Sequence, residues 1–201
     1  MFLYFGHDGR VMDETQARFY LAGLIGGDGH IERNRERIDI RIYPENFRKN
    51  IASLLNKFGI EFQISRKLKR IRITSREFVE KMENGFAIPR GRKSHIINVP
   101  LAVADASKNQ KAAYVAGWFD AEAWLERDRR YRPPYPRLRF CVSNMRIRDK
   151  LLKLLGEFGI KTGSYQSGLR YCLDINGRKG VAKMLRAIPF RRSDLALGPA
   201  Q

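Results

Sequence analysis

The chain has 201 residues, 43% of them hydrophobic, enough to bury one sizeable core or two small fused ones and too many for a disordered tail. Its 39 Lys and Arg stand against 21 Asp and Glu, and the formal net charge of +18 points to a polyanionic partner. No apolar run approaches the roughly 18 residues that span a bilayer, which excludes a membrane-crossing helix. No secretory leader is read at the start, so a cytoplasmic protein is expected, or an organellar one in a eukaryote. Cys141 and Cys172 are the only cysteines, and their spacing offers neither a zinc site nor a disulfide framework, so two reduced, buried thiols are expected. His7, His30 and His95 are scattered without a motif, and histidine catalysis is not expected.

Residues 1–11 (MFLYFGHDGRV) read as an aromatic, glycine-containing arm packed on the body. Asp13 followed three residues later by Gln16 has the spacing of a capping box and opens a helix that runs to Asp28. His30 to Arg33 and Arg37 to Tyr43 then form a hairpin. In its second strand Ile38, Ile40 and Ile42 face the core, and Arg37, Asp39, Arg41 and Tyr43 face away. An amphipathic helix from about Pro44 to Phe58 stops at Gly59. Glu61 to Ile64 and Lys69 to Thr74 make a second hairpin with Arg66 and Lys67 near its turn, and a helix from about Arg76 to Asn84 closes this half.

The second half repeats the first. Ser107 and Gln110 restate the capping box at an offset of 94 residues, and Trp124-Leu125-Glu126-Arg127 mirrors His30-Ile31-Glu32-Arg33 at the same offset. The loop Tyr131 to Pro136 is longer and stiffer than its counterpart, and Arg137 to Val142 alternates with Arg137 and Arg139 on the polar face. Leu154 to Ile160 answers Leu54 to Ile60, and Val181 to Met184 answers Val79 to Met82. The order α-β-β-α-β-β-α therefore occurs twice, in an α+β fold of two pseudo-symmetric repeats with a curved four-stranded antiparallel sheet each. The expected division is a first half at 1–100, a linker and helix cap at 101–110, and a second half at 111–201.

The opening helix of each half carries the chemistry. Phe19 to Gly29 (FYLAGLIGGDG) holds Gly23, Gly26 and Gly27, and each glycine costs a helix about 0.5–1 kcal/mol relative to alanine. Close backbone approach offsets that. Gly23 and Gly27 share one face, as do Gly117 and Ala121 in Ala113 to Ala123 (AYVAGWFDAEA), so the two helices can pack with almost no side chain between them. Asp28 and Glu122 then meet where the helices end, against the negative ends of both macrodipoles and against each other, an arrangement that favours bound hard divalent cations.

Both runs resemble the motif of LAGLIDADG homing endonucleases, and their duplication matches the single-chain, two-repeat members. The first keeps Leu21-Ala22-Gly23-Leu24-Ile25 and Asp28-Gly29, with Gly26 and Gly27 in place of Asp and Ala. The second keeps Ala116-Gly117 and Asp120-Ala121-Glu122 but has Ala123 where the family has glycine. If that residue ends the helix in a left-handed conformation, alanine costs roughly 1–2 kcal/mol there.

The resemblance implies a site-specific endonuclease that hydrolyses both strands of duplex DNA across the minor groove. Asp28 and Glu122 would be the catalytic acids, with Gly27 and Ala121 beside them as metal ligands and Arg72 as a basic side chain of the site. Mg2+ is the implied cofactor, with Mn2+ as a substitute and Ca2+ supporting binding alone. Sheet residues suited to DNA contact are Arg33, Arg37, Asp39, Arg41, Tyr43, Arg66, Lys67, Lys69 and Arg70, then Arg127, Arg129, Arg137, Arg139 and Arg170. Glu32 and Glu126 read as base-reading or structural residues rather than ligands. The expected partner is a long, weakly palindromic duplex held by a monomer with pseudo-two-fold symmetry. An RNA maturase or DNA-binding regulator on the same scaffold is the alternative, and a ribosomal-type RNA-binding protein would leave the paired acids unexplained.

Overall fold

The computed structural model describes residues 12–132 and 134–195, so the N-terminal arm lies outside the described residues. The first half runs α1 (Glu14–Asp28), β1 (Gly29–Ile31), β2 (Ile38–Arg41), α2 (Glu45–Lys57), β3 (Phe62–Ser65), β4 (Arg70–Ile73) and α3 (Arg76–Glu80). A short helix α4 (Leu101–Ala104) lies in the connection. The second half is α5 (Lys108–Glu122), β5 (Trp124–Asp128), β6 (Tyr135–Val142), α6 (Met145–Glu157), β7 (Gly163–Ser167), β8 (Arg170–Asn176) and α7 (Gly177–Ala187). The two αββαββα repeats each carry a four-stranded sheet, ordered β1-β2-β4-β3 and β5-β6-β8-β7, with every pairing antiparallel.

Alternation decides what each strand buries. Ile38, Ile40, Ile71 and Ile73 are buried on one face of the first sheet, and Leu138, Phe140, Leu173 and Ile175 on that of the second, while the charged residues between them fall on the opposite face. The amphipathic helices α2 and α6 cover the apolar faces with Ile51, Leu55, Leu151 and Leu155. Gly59 and Gly159 end these helices at φ +63° and +64°, a left-handed turn that glycine adopts without strain.

Three local features differ from the sequence reading. The helix expected over Arg76 to Asn84 is α-helical only to Glu80 and widens into a π turn at Lys81–Gly85. β6 begins at Tyr135, inside the expected loop. Pro136 is tolerated there because β8 has already ended, its last pair being Arg137 with Asn176. The cysteines are not free thiols: Cys141 and Cys172 face each other on β6 and β8 and form a disulfide, with Cα atoms 4.1 Å apart. Spacing along the chain concealed this, because α6 and β7 intervene between two strands that are neighbours in the sheet.

Candidate functional site

α1 and α5 are buried along most of their length and pack directly on each other. The small residues make this possible. A β-carbon on Gly23 would lie 2.1 Å from the Tyr114 carbonyl oxygen, and one on Gly117 would lie 2.0 Å from the Tyr20 carbonyl oxygen. At the C-terminal end of the crossing, a β-carbon on Gly27 would lie 2.4 Å from that of Ala121 and 3.8 Å from Glu122 Oε1. Backbone contact thus brings the two motif acids to one place. Neither helix ends in a left-handed residue: Gly29 has φ −83° and Ala123 φ −85°, both extended, so alanine at 123 carries no strain.

Burial pushes the Glu122 carboxyl up, the charge of Asp28 adds to the rise, and Lys93 and Arg170 oppose it. Burial likewise pushes Asp28 up against the pull of Lys93, Arg192 and Arg41. Asp28 nevertheless keeps solvent contact on the polar face. It is wet on one side and hemmed in on the others, so the rise is smaller than full burial would give.

Two cations near the acids come from outside the motif, and the sequence reading missed both. Lys93, in the connection after α3, donates from Nζ to the Gly27 carbonyl at 2.9 Å, and burial lowers its pKa against the opposing charges of Glu122 and Asp28. Arg192, after α7, donates from Nη1 to the carbonyls of Asp120 and Ala123 at 3.0 Å each and pairs with Asp194 through Nη2 at 2.6 Å. Asp120 fixes that segment. Its carboxylate accepts from Tyr20 Oη at 2.7 Å and from the backbone N–H groups of Arg191 and Arg192 at 2.8 and 3.2 Å, and burial raises its pKa to about 6. A signal existed: Ala87-Ile88-Pro89 recurs as Ala187-Ile188-Pro189, each followed within a few residues by one of these cations.

A sequence model of the LAGLIDADG-like domain matches residues 15–84 and 109–189, the two repeats. The chain belongs to this family. Among solved structures, the fold is similar to the homing endonuclease I-DmoI in complex with DNA and Mn, at TM-score 0.61 and 17% identity over 88% of this chain and 97% of that one. It is also similar to full-length DUF199/WhiA from Thermatoga maritima, at TM-score 0.64 and 16% identity over 94% and 60%. Curated relatives include a tRNA-splicing ligase RtcB of Methanopyrus kandleri, 25% identical over 85% of this chain and 20% of that protein. Another is an elongation factor 2 of the same organism, 32% identical over 86% and 13%. The chain thus spans a fifth or less of the length of these two relatives.

On the polar faces of this LAGLIDADG-like chain, the residues singled out for DNA contact divide into paired and open cations. In the first sheet Asp39 accepts from Arg72 Nε at 2.8 Å and Arg70 Nη1 at 2.9 Å, and Arg37 pairs with Glu32. Burial alone would raise the Asp39 carboxyl, but the hydrogen bonds and charges of the two arginines outweigh it and hold it low. Arg72 is therefore engaged with Asp39, and the cations acting on Asp28 are Lys93, Arg192 and Arg41. In the second sheet Arg139 binds Asp174 at 2.8 and 3.1 Å and Glu126 at 2.9 Å, and Arg137 Nε donates to Asn176 at 2.8 Å. Arg33, Arg41, Arg66, Lys67, Arg129 and Arg170 are exposed with no ion pair among the described residues, and Arg127 is exposed on β5. Lys69 sits over the exposed Tyr43 ring, 5.7 Å from its centre.

The fit to a divalent cation rests on the donor set. Asp28 and Glu122 are two hard oxygen ligands lifted by burial, Glu122 further by the charge of Asp28, a combination that a cation relieves. The Gly27 carbonyl, expected as a further ligand, accepts from Lys93 Nζ at 2.9 Å through one of its two lone pairs. Among the described residues no group of three His, Cys, Asp or Glu gathers, so the remaining ligands would be water and the substrate's own oxygens. Among the described residues no helix is long and apolar enough to cross a membrane.

Proposed function

We propose that the chain is a metal-dependent endonuclease that cuts both strands of a specific duplex DNA site. The observation that carries this reading is the meeting of Asp28 and Glu122 at the ends of two helices in backbone contact, between two sheets with arginine-rich polar faces. Asp28 and Glu122 would hold Mg2+ or Mn2+, with Ca2+ supporting binding alone. When bound, the cation supplies Lewis-acid stabilisation of the phosphate and lowers the pKa of a coordinated water. The chain's own residues do the rest. Each carboxylate would hold the cation beside one scissile phosphate, and the Lys93 ammonium, held by the Gly27 carbonyl, offers positive charge where negative charge develops. Arg41 and Arg170 reach the phosphates flanking the two acids. The protein acts as a monomer on a long, weakly palindromic target. These two curated relatives carry different names, a ligase and an elongation factor, and each matches over a small share of its length. That pattern supports a mobile unit carried within different host genes, with its insertion point as the target.

Incubation with a plasmid library and Mg2+ should give one discrete linear product. Asp28→Asn or Glu122→Gln should abolish double-strand cutting while target affinity stays within a few-fold. Equal cutting by the double variant and the parent would refute the assignment. The second reading, a DNA-binding regulator, is favoured by the likeness to WhiA. It requires tight, sequence-specific binding with no cleavage in Mg2+ or Mn2+.

A further inference from the structure

The first row of polar-face residues outward from the motif acids has the same position in both halves but opposite charge order. It starts two residues after each acid. In the first sheet His30 lies opposite Asp39, which lies opposite Arg72, and in the second Trp124 lies opposite Arg139, which lies opposite Asp174. The two ion pairs have matching geometry, at 2.8 and 3.2 Å for Asp39 with Arg72 and 2.8 and 3.1 Å for Arg139 with Asp174. Acid and base have exchanged strands.

Their surroundings push the two rows further apart. Asp39 accepts three hydrogen bonds, because Arg70 joins Arg72 on it, so most of the spare hydrogen-bonding capacity around the first row is guanidinium N–H. Arg139 is held between two acids, with Asp174 on Nε and Nη2 and Glu126 facing Nη1 at 2.9 Å. The spare capacity beside the second row is carboxylate lone pairs on Glu126, which stands one row further out, is 38% exposed and leans onto Arg139, whereas its first-half counterpart Glu32 pairs with Arg37. One row inward the same contrast holds. Arg41 faces Arg70 in the first half, and the uncharged Cys141–Cys172 disulfide stands there in the second.

We propose that these rows are specificity determinants that read opposite hydrogen-bonding faces of two symmetry-related base pairs, an inference that rests on the DNA reading above. Guanidinium donors select the N7 and O6 acceptors of guanine, and carboxylates select the amino donor of cytosine. Identical rows related by the pseudo-two-fold axis would each choose guanine, one on each strand, and the site would be palindromic at that step. With the second row choosing cytosine instead, its partner guanine lies on the first strand. The target carries guanine on the same strand at both positions, and the palindrome breaks there.

The test is enrichment of bound duplexes from a randomised pool in Ca2+, with the parent and with the reciprocal double variant Asp39→Arg/Arg72→Asp, which keeps an ion pair. The parent should prefer guanine on one strand at both symmetric positions by roughly tenfold or more. The double variant should switch the first-half position to cytosine and make that step palindromic. If the double variant melts far below the parent, Asp39→Asn and Arg139→Gln take its place, each expected to relax preference only in its own half-site. A palindromic step in the parent, or an unchanged preference in the variants, overturns the inference and leaves the DNA reading intact. Absence of any enriched sequence refutes the DNA reading itself, and this inference falls with it.

Discussion

Replacing Gly117 by alanine tests the backbone contact between α1 and α5. The new β-carbon would lie 2.0 Å from the Tyr20 carbonyl oxygen, 2.6 Å from the Leu24 nitrogen and 3.0 Å from the Gly23 carbonyl carbon. Carbon and oxygen settle at about 3.3 Å or more, so the helices must separate by more than an ångström. Overpacking costs about 1–3 kcal/mol where side chains can yield; here the obstacles are peptide groups of a buried helix, which puts the penalty at about 3 kcal/mol or above. Alanine returns about 1 kcal/mol of helix propensity, leaving a net loss of about 2 kcal/mol or more. Gly156, in α6, is the control: nothing lies within 4 Å of its added β-carbon, so Gly156→Ala should stabilise by about 0.5–1 kcal/mol. Urea unfolding followed by circular dichroism measures both. Shifts of the same sign in the two variants would refute the claim that Gly117 is there for backbone approach.

Three further outcomes follow from particular groups. Asp120 holds its proton more tightly folded than unfolded, so the stability it contributes is full below pH 3.8 and is lost as pH rises to about 6, an interval worth about 3 kcal/mol. The stability difference between parent and Asp120→Asn, from urea titrations across that range, should therefore shrink with rising pH; a constant difference would remove the raised pKa. Reducing the Cys141–Cys172 bond, which closes a separation of 31 residues, should cost up to about 3–4 kcal/mol, read as a drop in unfolding midpoint with dithiothreitol that Cys172→Ser no longer shows. Ala123→Gly should destabilise by about 1–2 kcal/mol, since position 123 is buried and extended; a gain in stability would restore a left-handed helix end.

Much of the fold was legible because period and spacing are local. The alternation of Ile38, Ile40 and Ile42 and the capping residues Asp13 and Ser107 are each set by neighbours in sequence, and the structure places them as read. What escaped depends on register or on segments without periodicity. Cys141 and Cys172 meet only because β6 and β8 are neighbours, which their spacing does not encode. Lys93 and Arg192 lie in irregular chain after the closing helices, where a cation reads as one more solvated charge in a sequence of +18. Arg72 and Arg139 lie on the polar faces, but their carboxylate partners sit on other strands and are found only through cross-strand pairing.

The irregular segments also explain how the motif tolerates its departures. A helix that ends on an acid leaves carbonyls and a carboxylate facing the same way, which is electrostatically unfavourable without nearby positive charge. In the first half Lys93 supplies that charge at Gly27; in the second Arg192 supplies it at Asp120 and Ala123, anchored by the Asp120 carboxylate. The first half lacks an acid at the Asp120 position, having Gly26 there, and the Trp118 ring occupies the space, within 2.9 Å of where a Gly26 β-carbon would stand. The two departures are linked. A bulky residue on α5 requires glycine on α1, while the acid that glycine displaces is kept in the other repeat, where it holds the C-terminal segment onto the helix pair. Duplication supplied two equivalent helix ends, and the contact between them allowed one to specialise in packing and the other in anchoring.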